Sequence, residues 1–292
     1  NDTATTEIYT RLFVGSVVLD DNRAEYGLLN HRPAAGFDPS FIALSTLDLA
    51  VDSIYNRGAD IALQIRRMAF TERSGLTVSD MTGDIGMDAS GISLAGVTLK
   101  TPFSRIEANI SAGEGILALA PDSPLKAALT ADVNTKDLKY LYPALIPPML
   151  DGRIVSLALT AAGTLGDIGK AGLDISSPGH VAFTADGAAR NVLDPDRMEA
   201  SARFEGDFRD MAFLEALLPD SALRRRIAIP DRIRLRGTAG ADKGAFSAAS
   251  TLSTDGGEIA LQGQLDTRSE AYEIELRCDS FPLNRFLPAD SL

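Results

Sequence analysis

Histidine, cysteine and carboxylate side chains in a cluster would build a transition-metal site, but this chain scatters them: two histidines, His31 and His180, and one cysteine, Cys278. Each histidine reads as a turn or surface residue. Cys278, two positions after Leu276, reads as a small buried hydrophobe on a strand rather than a nucleophile. Gly91-Ile92-Ser93-Leu94-Ala95-Gly96 has one residue too many for a hydrolase elbow, and Gly166-Asp167-Ile168-Gly169-Lys170-Ala171 lacks both the spacing and the hydroxyl residue of a phosphate loop. Asp194 and Asp196 form a pair suited to acid–base work, yet Asn191-Val192-Leu193-Asp194-Pro195-Asp196 has the composition of a turn. Arg224-Arg225-Arg226 could meet lipid phosphates and reads instead as a solvated run after a helix. Asn109-Ile110-Ser111 fits the glycosylation pattern at a strand position. The expectation is no catalytic residue, no metal, no cofactor and no enzyme.

Composition narrows the classes further. A formal net charge of −12 over 292 residues opposes the electrostatic term that dominates nucleic-acid binding, so no nucleic-acid partner is expected. One cysteine excludes an internal disulfide framework. The absence of Trp argues against a platform for stacking sugars. Apolar stretches such as Ile116-Leu117-Ala118-Leu119-Ala120 fall far short of the roughly 20 residues of a membrane helix. Any membrane contact is expected through regions outside this chain.

What the chain does carry is alternation. Leu47, Leu49 and Val51 alternate with Asp48, Ala50 and Asp52, and Ile61, Leu63 and Ile65 with Ala62, Gln64 and Arg66. Met81, Ile85 and Met87, then Val97 and Leu99, then Ile106 and Ile110 continue the pattern. After a helix-like interruption come Leu157 and Leu159, and Leu173 and Ile175. After a second come Ile233 and Leu235, Ile259 and Leu261, and Ile274 and Leu276. Period two puts each set on one face of a strand, greasy on one side and wet on the other. These residues are the candidate lining of an apolar groove.

Turns at Ala89-Ser90-Gly91, Ser176-Ser177-Pro178-Gly179 and Thr254-Asp255-Gly256-Gly257 are short, which favours antiparallel neighbours. Three short helix-like segments punctuate the strands, beginning at Asp137, Asp210 and Ser280, each with a proline near its end. Asn134 or Thr135 can cap the first. Their aromatic-Leu pairs, Tyr140-Leu141, Phe213-Leu214 and Phe286-Leu287, recur every 73 residues, a modular spacing. The expected organisation is an N-terminal β-repeat segment over 1–133, modules over 134–206 and 207–279, and the start of a further module over 280–292. A chain that stops within a module reads as a piece of a longer protein.

So few short helices cannot cover a large sheet, which must therefore fold over itself. Alternation alone favours a sandwich or barrel with a filled core over a trough whose apolar wall stays partly open. With roughly 20 strands at about 4.8 Å each, an unclosed sheet would approach about 100 Å.

Three blocks bear a family likeness. Phe37-Asp38-Pro39-Ser40-Phe41-Ile42-Ala43-Leu44 leads into Leu47-Asp48-Leu49-Ala50-Val51-Asp52-Ser53-Ile54, followed by Glu72-Arg73-Ser74-Gly75-Leu76-Thr77-Val78 and Leu99-Lys100-Thr101-Pro102-Phe103-Ser104-Arg105-Ile106. With the helix-proline punctuation, this order resembles the TamB branch of the AsmA-like proteins, especially the versions in Bacteroides and its relatives. Asn284 departs from the apolar residue at Leu138 and Met211. The resemblance implies a mainly β fold, an elongated, curled antiparallel sheet forming a trough, and so favours the open groove. It implies a periplasmic location in a Gram-negative bacterium, with an inner-membrane anchor outside this chain. It also implies phospholipid acyl chains as cargo between the two membranes, and a BamA/TamA-like outer-membrane β-barrel as partner in outer-membrane biogenesis. Two other classes stand beside the conduit. One is a scaffold that pairs strands of outer-membrane proteins; the other, a β-helical enzyme acting on polysaccharide, needs rungs and a charged cluster that the chain lacks.

Overall fold

Short turns leave a strand no nearer partner than the next one in sequence, and the chain pairs that way throughout. The computed structural model describes residues 11–28, 31–34, 36–114, 116–118, 120–141, 152–210 and 230–279. The first seven strands are β1 (Arg11–Gly27), β2 (Phe41–Arg57), β3 (Asp60–Glu72), β4 (Thr77–Asp88), β5 (Gly91–Lys100), β6 (Arg105–Gly113) and β7 (Pro124–Asn134). Helix α1 (Thr135–Leu141) follows. Then come β8 (Ile154–Thr164), β9 (Ile168–Ser177), β10 (Val181–Arg190), β11 (Glu199–Arg209), β12 (Arg232–Asp242), β13 (Ala245–Thr254), β14 (Gly257–Asp266) and β15 (Ala271–Asp279). All fifteen lie in one antiparallel sheet in sequence order, and strands make up 73% of the described residues. The sheet is not closed into a barrel: β1 and β15 are its two edges.

Among the described residues fifteen strands stand against the roughly 20 expected for the chain, and their fourteen spacings give a contour of about 67 Å. The expected turns are where they should be. At the β4–β5 turn the Asp88 carboxylate accepts from the Ser90 N–H at 2.7 Å. Gly91 sits at φ +132°, where a Cβ would lie 1.9 Å from the Ala112 carbonyl oxygen, so no other residue fits. The boundaries at 133/134 and 206/207 do not interrupt the sheet. The second falls inside β11, which pairs with β12 from Glu199 to Arg209.

Bulges divide the sheet. Every ladder from β1 to β6 contains a register shift, and every ladder from β10 to β15 is regular. Asp21 and Thr46 on β1 and β2 both take φ 51°, and Ser53 takes φ 53°. Extra residues of this kind bend a strand and tighten its twist. The first six strands are curled by their own backbone.

Asn134 caps α1, its Oδ1 accepting from the Lys136 N–H at 3.0 Å. The helix lies at the end of the sheet shared by the β1–β2, β3–β4 and β5–β6 connections. Its Asp137 carboxylate accepts from the hydroxyls of Thr101 and Ser104, each at 2.5 Å. The Tyr140 carbonyl accepts from the Phe37 N–H at 3.2 Å, and the Tyr140 ring lies where a Gly75 side chain would be. The helix-like readings over 211–219 and 280–288, and the arginine run 224–226, lie outside the described residues.

Candidate functional site: one apolar face

Residues directly opposite in an antiparallel ladder share a face, so register alone traces rows across the sheet. One row runs through all fifteen strands. From β1 to β7 it is Leu19, Leu49, Met68, Met81, Leu99, Ile106 and Ala131. From β8 to β15 it continues as Leu157, Ile175, Phe183, Gly206, Leu235, Leu252, Ile259 and Cys278. No polar side chain interrupts it apart from the terminal thiol. The next row on the opposite face reads Thr98, Glu107, Thr130, Ala158, Asp174, Thr184, Glu205 and Arg236.

All 23 residues expected in the groove lining fall on the apolar face by alternation and register. Their burial differs sharply. Leu47, Val51 and Ile65 are buried; Ile61, Leu159, Leu261, Ile274 and Leu276 are exposed; the rest are intermediate. Ile274 keeps 67% and Leu276 58% of its surface exposed. This is not the interior that alternation alone suggested. Among the described residues the buried hydrophobics are Leu47, Val51, Ile65, Val78, Ala108, Ala112 and Ala131, too few for a filled sandwich of this length.

A furrow runs along this face between β8 and β13. Its floor is a row of small residues, Ala161, Ala171, Gly187, Ala202, Ala239 and Ala248. Leu159, Leu173 and Phe246 flank it, with Val192 and Met198 from the β10–β11 connection, around a cavity of about 520 Å³. That connection is held by the Val192 N–H donating to the Gly166 carbonyl at 2.9 Å and by Arg268 donating to the Asp196 carbonyl at 3.0 Å. Another cavity, of about 680 Å³, lies over β3–β7 at the end of the sheet away from α1 and is lined by Asp60, Asp88, Ser90, Ser93, Ser111 and Lys126 together with apolar residues.

The sequence reading missed much of this floor. It named no lining residue on β7, β10, β11 or β13, although Leu129, Phe183, Phe204 and Leu252 all belong to the apolar rows. Nine of those strands' twenty inward positions are Ala or Gly, which hardly register as apolar. A search for Ala and Gly at period two would have found them. Phe183 stacks on Phe204 at 6.5 Å between centroids, partly filling the wall.

Isolated polar residues took simple places. His31 lies in the β1–β2 connection with its Nε2 2.7 Å from an Asp38 carboxylate oxygen. The Ala34 N–H, and next that imidazole, hold the Asp38 carboxyl down to about 2. His180 is in the β9–β10 turn, and Asp194 and Asp196 are in the turn before β11. Cys278 is exposed, not buried as expected, because its row ends on β15, beside which no further described strand lies. Among the described residues no group of His, Cys, Asp and Glu is gathered so as to hold a metal ion, and no helix is long and apolar enough to cross a membrane.

Comparison of the chain with protein-family models, with curated proteins and with solved structures finds no match.

Proposed function

We propose that this chain is a segment of a non-enzymatic lipid conduit, in which phospholipid acyl chains lie along the apolar face while headgroups stay at the wet opening. One observation supports it most: an apolar row that crosses all fifteen strands on a face that no second described layer covers. An acyl chain moved from water onto this face gains about 0.8 kcal/mol per buried methylene. Because the row carries no charged side chain, no electrostatic barrier interrupts movement along it. Net movement then needs only unequal lipid supply at the two ends. The family likeness extends the proposal to the periplasm, between inner and outer membranes, with the anchor outside this chain and a BamA/TamA-like barrel as partner.

Native mass spectrometry of the gently purified chain should reveal bound phospholipid. Leu261→Asp and Leu276→Asp, at exposed wall positions, should abolish it with the fold retained, whereas Thr251→Asp on the opposite face should not. Lipid-free protein in the unaltered chain would defeat the proposal. A second reading, a scaffold that adds strands of outer-membrane proteins, is favoured by β15, a regular edge strand whose outer backbone has no partner among the described residues. Photocrosslinkers placed on β15 would then trap peptide instead of acyl chain.

A further inference from the structure

The face opposite the apolar row carries a cavity of about 460 Å³ over β11–β14, a volume within the range of small-molecule sites. Its walls follow from register. Arg203, Thr238 and Gln262 line it from one row across these strands, and Glu205, Arg236 and Thr251 from the next, with an alanine in each row as floor.

Two guanidiniums here stand apart from the nearest carboxylates. Asp186 lies directly opposite Arg203 on β10, and Glu205 directly opposite Arg236 on β11, positions from which cross-strand ion pairs form. Among the described residues neither arginine makes such a pair. Asp207, two positions along β11 from Glu205, by contrast accepts from both Arg209 and Arg232. Arg203 lines the cavity together with residues of β12–β14, and Asp186 does not. The Thr238 and Thr251 hydroxyls and the Gln262 amide likewise form no hydrogen bond with a described residue. Arg203 and Arg236 are diagonal neighbours, with Cβ atoms about 7 to 8 Å apart, so their forks can meet on one anion.

We propose that this cavity binds a phosphoryl group, held by Arg203 and Arg236 and by the hydroxyls of Thr238 and Thr251. A phosphoryl group presents three acceptor oxygens and a charge of about −1.5 to −2 at neutral pH, where a carboxylate presents two oxygens and one charge. Two guanidinium forks and two hydroxyls match the former in charge and in donors. Glu205 repels the anion from one side and accepts from a hydroxyl on the remainder of the ligand, so the class is a hydroxylated phosphomonoester. The site lies across the sheet from the apolar row and does not rest on the lipid reading.

An NMR titration of the labelled chain with inorganic phosphate should shift the amides of β11–β14. Arg203→Gln and Arg236→Gln should each weaken binding about tenfold. Arg190→Gln, which alters a cation on the same face outside the cavity, should leave it unchanged. Glu205→Gln should tighten inorganic phosphate about threefold by removing a facing negative charge. Glycerol phosphate against glycerol, and phosphatidic acid vesicles against phosphatidylcholine vesicles, separate a soluble source of the phosphoryl group from a membrane one. No phosphate response in the unaltered chain, or undiminished binding in both arginine variants, overturns the site. Unchanged or weaker binding in Glu205→Gln overturns it as well.

Discussion

Strands β2–β7 and β8–β15 share one alternation and one continuous apolar face, yet they treat that face differently. All seven buried hydrophobic residues lie in β2–β7, and none in β8–β15. Of the exposed leucines and isoleucines of the wall, Leu261 and Leu265 lie on β14, Ile274 and Leu276 on β15 and Leu159 on β8, against Ile61 in β2–β7. Backbone geometry separates the two regions: the ladders from β1 to β6 are bulged and curl the strands over their own side chains, whereas the ladders from β10 to β15 are regular and leave the face open. Helix α1 adds a polar closure at one end of the curled region only, through Asp137, Thr101 and Ser104. An apolar face can thus serve as core in one stretch and as binding surface in the next.

The largest test of this contrast removes buried volume. Leu47→Ala and Ile65→Ala should each cost about 3 kcal/mol in urea unfolding, while Leu261→Ala and Leu276→Ala should cost under about 1 kcal/mol. Equal losses would mean that β14 and β15 are covered and the contrast is false. Asp137→Ala should come next, at about 2 kcal/mol, because it strands the hydroxyls that now meet a carboxylate. Hydrogen exchange should accelerate in β2–β6 in that variant and remain unaltered in β12–β15.

Acid should weaken the curled region through Asp38. Its folded value of about 2 is depressed first by the Ala34 N–H and then by His31. A depressed carboxyl contributes stability above its ordinary range, and that contribution disappears as the pH falls from about 4 through 2. Asp38→Asn should remove this part of the acid transition, read by fluorescence or circular dichroism. The smallest effect is expected at the exposed Lys243–Glu199 pair, 2.9 Å apart between β12–β13 and β11. There Glu199→Gln should lower stability only slightly, and only at low salt, as read by urea unfolding with and without added salt.

Strands with large side chains were legible from sequence. In Leu47, Leu49 and Val51, or Ile61, Leu63 and Ile65, the step from greasy to charged residue is steep, and the face follows from the two-residue period. Strands such as Val181–Arg190 were harder. Their inward positions run Val181, Phe183, Ala185, Gly187 and Ala189, and Ala and Gly differ little from the small residues on the other side. Cys278 was misplaced for a different reason: its neighbours are apolar, and burial depends on whether another strand lies beside it. The same holds for Asp137, whose partners Thr101 and Ser104 are more than thirty positions away in the chain.

The sequence by itself determined that this protein is mostly antiparallel β, which side of each long-residue strand is greasy, and where the first helix is capped. Those properties depend on neighbours within a few residues. Only the tertiary structure decided that the strands pair in strict order into one unclosed sheet, that register aligns their greasy sides into an unbroken row, and that bulges hide one stretch of it while leaving the other open. Register and curvature arise from contacts between strands, and a difference of one residue in a ladder reverses a face or bends a sheet without altering the composition that a sequence displays.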